Sequence, residues 1–240
     1  KRNGKVVGKL SQKNVDTGAG LERLAMVLQK KNNVFDTDLF SGLMATTQTI
    51  TKDTRAQRII ADHMRTAVMM IADGVLPSNT DRGYILRRLI RRAVVKANGG
   101  LTPENIGALV SAVGETYKGV YENVSDNAER IAEEINKEIT KFEKTLKQGI
   151  ATLKKIFGKV IGGVDPEKPG GISIHGNILR INGEEVFRLY QTYGLPIEIS
   201  QEIMTGWGIT FDNETMREAM SAMKKHQELS RAGAGEKFKG

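Results

Sequence analysis

The sequence predicts a mainly α-helical protein in which a short β segment precedes a multihelical domain. Two observations indicate this fold class. From about residue 35 onward, apolar residues recur three and four positions apart, as on the buried face of a helix. Before that point, residues 5–10 alternate between polar and apolar side chains, which is typical of a strand pair or a sheet edge. The β segment therefore ends early, and helices form most of the domain.

The start of the chain has the order strand, glycine turn, helix. Residues 16–20 read Asp-Thr-Gly-Ala-Gly, and apolar residues at helical spacing follow from Leu21 to Leu28. We predict the remaining helices at residues 35–51, 54–73, 84–97, 103–121, 125–157, 184–193, 196–206 and 213–231. Thr102 and Pro103 support one of these starts, because threonine is a frequent N-cap and proline suits the first helical position.

Three segments fall outside these helices. Residues 158–171 contain five glycines and two prolines, which indicates a loop. Residues 172–181 alternate between apolar and polar side chains, and a small hairpin is the structure that this pattern favours. Residues 233–240 have the composition of a linker.

Charge indicates what kind of partner the protein has. The chain carries 36 Lys and Arg against 28 Asp and Glu, so its formal net charge is +8. This balance favours polyanions and predicts salt-dependent binding. Aromatic residues make up only 5% of the chain, which leaves little material for stacking single-stranded bases. A duplex backbone or a phosphate ligand therefore fits better than a single strand.

Composition also excludes several classes of protein. The absence of cysteine excludes disulfides, thiol catalysis and cysteine-ligated zinc. The three histidines lie far apart, so spacing suggests no metal site. No apolar run approaches the roughly 20 residues of a membrane span, and no secretory leader is visible. We therefore expect a cytoplasmic protein with no membrane partner.

The glycine turn is a candidate phosphate site. Gly18 and Gly20 would let the backbone pass close to a ligand, and the following helix start offers free N–H groups. Arg23, in the first helical turn, adds a forked cation suited to phosphate oxygens. The alternative is a simple strand-to-helix turn, since the third glycine of a dinucleotide fingerprint is missing.

A second candidate is an arginine-rich helix. Five arginines occur within eleven residues: Arg82, Arg87, Arg88, Arg91 and Arg92. Helical spacing places Arg88 and Arg92 in one row and Arg87 and Arg91 in the next. No Asp or Glu lies between Asp81 and Glu104, so the helix cannot pair these charges internally. The pattern favours contact with a phosphate backbone, and the alternative is a solvated face paired with acids from elsewhere.

These segments also carry a family resemblance that covers nearly the whole chain. Residues 15–25 (Val-Asp-Thr-Gly-Ala-Gly-Leu-Glu-Arg-Leu-Ala) resemble the third signature motif of class II aminoacyl-tRNA synthetases, in the form that alanyl-tRNA synthetases use. Four further blocks resemble the alanine enzymes specifically: residues 58–65, 72–79, 82–93 and 187–196. Residues 230–240 resemble the junction that precedes the editing domain of that family.

The resemblance implies that the chain contains parts of different domains with different roles. Residues 1–40 would be the last strand and helix of the antiparallel α+β catalytic domain, 41–232 the helical domain that reads the tRNA acceptor stem, and 233–240 a linker toward an editing domain. Arg23 would be catalytic by holding the ATP triphosphate, with Asp16, Gly18 and Gly20 beside it. The complete enzyme would use ATP and Mg²⁺ to activate alanine and would then charge tRNA(Ala). Zinc would belong only to the editing domain, and the isolated chain would be inactive.

One residue departs from the family pattern. Alanine enzymes typically carry an aspartate where this chain has Gln191, and that aspartate helps to read a G·U pair in the acceptor stem. We assign its partner to Asn79, with Asp81 as the alternative. The predicted tRNA-binding set is Asn79, Asp81, Arg82, Arg87, Arg88, Arg91, Arg92 and Gln191.

Three functions compete on this sequence. The first is an alanine–tRNA ligase whose other parts lie in the rest of the same polypeptide, with tRNA(Ala), alanine and ATP as partners. The second is a non-catalytic helical RNA-binding module, which would have no use for the glycine–arginine turn at Gly18–Arg23. A regulatory nucleotide-binding protein is the third, but it leaves the arginine-rich helix unexplained.

Overall fold

The computed structural model describes residues 8, 12, 18–161, 172–175, 178–181, 183–206 and 212–237. Over these residues the protein is mainly helical, as predicted. The helices are α1 (Leu21–Leu28), a 3-10 turn (Val34–Asp36), α2 (Asp38–Ile50), α3 (Thr54–Ala72), α4 (Asp81–Ala97), α5 (Pro103–Thr116), α6 (Glu122–Asp126), α7 (Ala128–Ile161), α8 (Gly183–Tyr193), α9 (Ile197–Gly206) and α10 (Asn213–Lys237). The strand pair expected at residues 5–10 lies almost entirely outside the described residues.

The hairpin predicted at residues 172–181 is confirmed. Strands β1 (Ile172–His175) and β2 (Ile178–Ile181) pair antiparallel, with Ile172 opposite Ile181 and His175 opposite Ile178. The described residues contain no other pair of strands.

Several helix boundaries differ from the predicted ones for local reasons. Thr37 has an extended backbone and separates the 3-10 turn from α2, so residues 35–51 do not form one helix. Helix α5 ends at Thr116 rather than near residue 121, and the short α6 precedes α7. Helix α7 continues to Ile161, into the segment predicted as a loop, and α10 continues to Lys237, into the segment predicted as a linker.

Capping side chains define two of the helix starts. The Asp53 carboxylate accepts a hydrogen bond from the Arg55 N–H at 2.8 Å at the start of α3. The predicted cap of α5 is confirmed, because Thr102 Oγ1 accepts from the Asn105 N–H at 3.3 Å and Pro103 occupies the first turn. Each such cap stabilises its helix by about 1 kcal/mol.

One apolar core joins the helices from α2 to α10. Helix α4 packs against α3 and α7, and its Leu86 and Ile90 are fully buried in the core that also contains Ile60 and Met64 of α3. Burial of each such side chain contributes about 1.5–3 kcal/mol. The arginine-rich helix is therefore a central element of the fold, with packed neighbours on both sides. Among the described helices, none combines the length and the apolarity needed to cross a membrane.

Candidate functional site

A tight loop before α4 presents Asn79. Gly83 allows this loop to pass close over the helix, because a Cβ at Gly83 would lie 2.5 Å from the carbonyl oxygen of Leu76. The Ser78 N–H donates to the Gly83 carbonyl at 3.1 Å, which holds the loop against the first turn of α4. Asn79 is exposed, and its Oδ1 accepts a hydrogen bond from Nη1 of Arg87. Asp81, the alternative to Asn79, is exposed at the start of α4 with a left-handed φ of 50°.

The end of α8 presents Gln191. This side chain is exposed in the last turn of the helix, three residues before Gly194. Gly194 has a left-handed φ of 61°, and its N–H donates to the Tyr190 carbonyl at 2.8 Å. A glycine in this conformation is a common helix terminator, because other residues pay a steric cost there.

The structure brings Asn79 and Gln191 into one cleft, although they lie far apart in the sequence. The cleft has a volume of about 350 Å³. Lys141 and Thr145 of α7 and His226 of α10 line it as well. Its lining among the described residues includes no carboxylate. The cleft therefore presents two amide side chains beside positive charge, in a hollow that opens to solvent.

Arg91 does not lie on an open basic face, as the sequence predicted, but is buried. Its side chain is only 8% exposed, with Nε 2.7 Å and Nη2 2.6 Å from Oε1 of Glu138 on α7. Burial lowers the pKa of Arg91, and the charge of Glu138 opposes that shift. The guanidinium also stacks on Phe142 at 4.8 Å and donates to the Gly194 carbonyl. Arg91 is thus held inside the protein by Glu138, Phe142 and Gly194, and it forms part of the cleft lining from beneath.

Two more of the predicted phosphate contacts have acidic partners on α9. Arg88 pairs with Glu198 at 2.9 Å, and Glu202 accepts from Arg92 Nε at 2.9 Å. Lys96 lies 2.8 Å from the same Glu202 carboxylate. Burial raises the pKa of Glu202, but hydrogen bonds from Arg92 and Lys96 outweigh burial and hold it below its ordinary value. The predicted basic row is therefore largely an ion-pair seam between α4 and α9.

Two of the cations of this region, Arg82 and Lys141, have exposed side chains. Arg82 lies in the first turn of α4 and Lys141 lies on the cleft wall, and both are exposed. Among the described residues, the structure gives neither of them an ion-pair partner within 4 Å. Arg87 also lines the cleft, although its side chain is mostly buried and contacts Asn79. Arg87 and Lys141 thus supply positive charge to the cleft itself.

The glycine turn and α1 form a separate and more exposed region. Arg23 is exposed on α1, and this helix has no buried residue. A Cβ at Gly18 would meet nothing within 4 Å, and one at Gly20 would lie 3.8 Å from the Arg23 side chain. The described residues therefore leave open space around the predicted ATP-binding turn. Asp16, the fourth residue predicted there, lies outside the described residues.

An ion pair that the sequence did not reveal attaches α1 to the helical core. Glu22 Oε1 lies 2.8 Å from Nη2 of Arg65 on α3, and Arg65 also donates to the Tyr117 hydroxyl at 3.1 Å. The guanidinium of Arg65 stacks over Phe40 at 4.2 Å. A hydrogen bond from its own backbone N–H lowers the pKa of Glu22, and Arg65 adds to that effect. Glu22 thus stays ionised and paired next to Arg23.

Glu138 is the other important residue that sequence reasoning missed. A signal for it exists, because Glu138 lies three residues after Ile135 and four before Phe142. A carboxylate in the apolar seam of a helix indicates a buried partner of opposite charge. The partners themselves lie on α4, and the sequence alone does not identify them.

Comparison with known proteins identifies the class of this chain. The family model described as tRNA synthetases class II (A) matches residues 1–239. The chain therefore belongs to the class II (A) tRNA synthetase family.

Its curated relatives narrow the class further. The chain is 37% identical over 235 residues to the alanine–tRNA ligase of Bacillus subtilis (strain 168), and the match covers 94% of this chain and 25% of the relative. The corresponding ligase of Rhodopseudomonas palustris is 38% identical over 238 residues, with 95% and 25% covered. The chain corresponds to one region of the alanyl-tRNA synthetases and spans about a quarter of the length of these relatives.

Proposed function

We propose that this chain is the acceptor-stem-reading region of an alanine–tRNA ligase, together with the ATP-binding third motif. The single observation that carries the proposal is the cleft in which Asn79 and Gln191 stand together. The similarity to alanine–tRNA ligases supplies the class of reaction. The ligase would activate alanine with ATP and transfer it to tRNA(Ala).

The chemistry of a G·U pair suits this cleft. An RNA duplex exposes its base edges in a wide, shallow minor groove. The 2-amino group of guanine is the one donor that distinguishes guanine there. Both Asn79 and Gln191 carry a carbonyl oxygen that can accept from it, and Arg87 already holds the Asn79 oxygen from the protein side. Arg82 and Lys141 would contact the flanking phosphates.

The ATP role rests on the other region of the chain. Arg23 would bind the triphosphate, with Asp16, Gly18 and Gly20 around the nucleotide. The position of Arg23 in the first turn of α1 supports this proposal, because a forked cation at a helix start suits phosphate oxygens. The described residues contain no group of three or more side chains that could hold a metal ion. Mg²⁺ would be bound with the nucleotide, and zinc would belong to a separate editing domain, as the family resemblance implies. The rest of the polypeptide would supply the alanine pocket.

RNA hairpins test the reading role directly. Two acceptor-stem hairpins that differ only in a G·U or G·C pair are titrated with the chain and with Asn79→Ala. We expect wild type to prefer the G·U hairpin, and loss of one hydrogen bond to reduce that preference by about two- to tenfold. Asn32→Ala is the matched control, because Asn32 is an exposed asparagine outside the cleft lining. A wild-type chain that binds both hairpins equally would contradict the proposal.

Alanine-dependent pyrophosphate exchange tests the proposed ATP-binding role of Arg23 and the need for the rest of the polypeptide. We expect the 240-residue chain alone to show no exchange, because it spans only a quarter of the ligases that it resembles. In a polypeptide of full length, Arg23→Ala should slow the exchange while hairpin binding stays unchanged. Exchange that is equally fast with Arg23→Ala would exclude Arg23 from the ATP site.

A further inference from the structure

Beneath the cleft, one buried carboxylate connects its two walls. Glu138 has a side chain only 4% exposed, and it contacts both Arg87 and Arg91 of α4. Arg91 lies 2.6 Å from Glu138, and Nε of Arg87 lies 3.2 Å from the same oxygen. We refer to Arg87, Arg91 and Glu138 as the Glu138 cluster.

Each arginine of the cluster has a second contact, and these contacts lie on opposite walls. Arg87 donates to the Asn79 side chain and lies 3.4 Å from the Pro77 carbonyl, both in the loop before α4. Arg91 donates to the Gly194 carbonyl at the end of α8, just beyond Gln191. The guanidinium group is well suited to this use, because its donors lie in one rigid plane.

The contact between Arg91 and Gly194 leaves no space for a side chain at Gly194. A Cβ at Gly194 would lie 2.5 Å from Nη1 of Arg91, so a larger residue would force the arginine away. Because Arg91 is buried against Phe142 and Glu138, it has little freedom to move. The end of α8 is thereby held at a fixed distance from α4.

We propose that Glu138 is a positioning residue for acceptor-stem recognition, fixing Asn79 through Arg87 and Gln191 through Arg91. This inference rests on the proposed function, and it adds a residue that touches no RNA. Without the carboxylate, the two guanidinium groups would repel each other at close range. The side chains of Asn79 and Gln191 would then no longer be held at a fixed position relative to each other.

The first test compares Glu138→Gln with Glu133→Gln. Both residues lie on α7, but Glu133 is exposed and pairs only at the surface with Lys137. The side-chain amide resonances of Asn79 and Gln191 are followed by NMR without RNA, and the G·U over G·C preference is then measured with the two hairpins. We expect Glu138→Gln to shift both resonances and to reduce the preference about threefold or more, while affinity for the G·C hairpin stays within about twofold. Glu133→Gln should leave all three readouts unchanged.

The resonances separate failure of this inference from failure of the proposed function. Unmoved resonances, or shifted resonances with an unchanged preference, would overturn the positioning role of Glu138. A wild-type chain with no preference would contradict the proposed function itself, and the role of Glu138 in reading would fall with it.

A second pair of variants decides the matter if Glu138→Gln does not fold. Arg87→Lys and Arg91→Lys both keep the charge, but a single ammonium cannot reach two partners in the way a guanidinium does. Arg87→Lys should shift mainly the Asn79 resonance, and Arg91→Lys mainly the Gln191 resonance, each with a reduced preference for the G·U hairpin. Equal shifts of both resonances in both variants would indicate a cluster that only stabilises the fold, and would overturn the proposal.

Discussion

The two candidate regions of this chain are built in opposite ways. The α1 region carries the clearest sequence motif, but its helix buries no residue and Arg23 is exposed. The cleft between α4 and α8 carries weaker sequence signals, but a buried ion cluster lies directly beneath it. Within this chain, the proposed ATP-binding residues therefore lie on a helix with no buried residue, whereas the proposed reading residues lie above a buried ion cluster.

This difference has an energetic consequence. Charges at exposed positions contribute little to stability, because water and salt screen them. A buried charge is costly once its partner is removed. Substitutions in the α1 region should therefore change function with little effect on folding, whereas substitutions beneath the cleft should change both.

The largest expected effect comes from Arg91→Ala. This change leaves the Glu138 carboxylate buried without its closest partner, and it should lower the free energy of unfolding by about 3–5 kcal/mol. Arg23→Ala, in the exposed region, should change it by less than about 0.5 kcal/mol. Urea unfolding followed by circular dichroism measures both values. A similar decrease in the free energy of unfolding in Arg91→Ala and Arg23→Ala would contradict the expected difference between the two regions.

A smaller effect is expected at Gly194. Gly194→Ala combines a left-handed φ of 61° with a Cβ 2.5 Å from Arg91 Nη1. The backbone cost is about 1–2 kcal/mol, and displacement of Arg91 adds to it. Gly107→Ala in α5 is the matched control, because a Cβ there meets nothing within 4 Å, and it should stabilise the helix by about 0.5–1 kcal/mol. A Gly194→Ala protein as stable as wild type would show that the end of α8 is not tightly held.

The smallest of these effects is expected at Glu202, and it depends on pH. Its pKa lies below the ordinary value of 4.5 because Arg92 and Lys96 outweigh burial. Its contribution is therefore fully present above pH 4.5 and is lost as pH falls through the folded-state pKa. Glu202→Gln should cost about 1 kcal/mol at neutral pH, and the difference from wild type should shrink in acid. Glu115→Gln is the control at neutral pH, because Glu115 is exposed and pairs with Lys118 only at 3.8 Å, and it should cost less than about 0.5 kcal/mol. A Glu202→Gln deficit that persists unchanged in acid would contradict this assignment.

Local patterns in the sequence predicted most of the helices and the N-cap of α5. Thr102 with Pro103, and the apolar spacing along α3 and α7, depend on neighbours within a few residues, so they could be interpreted without a structure. The partners of the arginines could not, because Glu138, Glu198 and Glu202 lie far along the chain on other helices. For the same reason, the sequence overestimated the open positive charge of α4. Family resemblance, rather than spacing, indicated Asn79 and Gln191, and the fold then placed them in one cleft.

We propose above that Gln191 and Asn79 read one base pair from this cleft. Gln191→Asp tests it most directly, because a carboxylate accepts from the guanine 2-amino group with charge assistance, whereas an amide oxygen accepts without it. Thr192→Asp is the control, since it places the same charge on an adjacent exposed residue of the cleft lining. We predict that wild type prefers the G·U hairpin over the G·C hairpin, that Gln191→Asp widens this preference, and that Thr192→Asp weakens binding of both hairpins alike. An unchanged preference in Gln191→Asp would show that Gln191 does not read the pair.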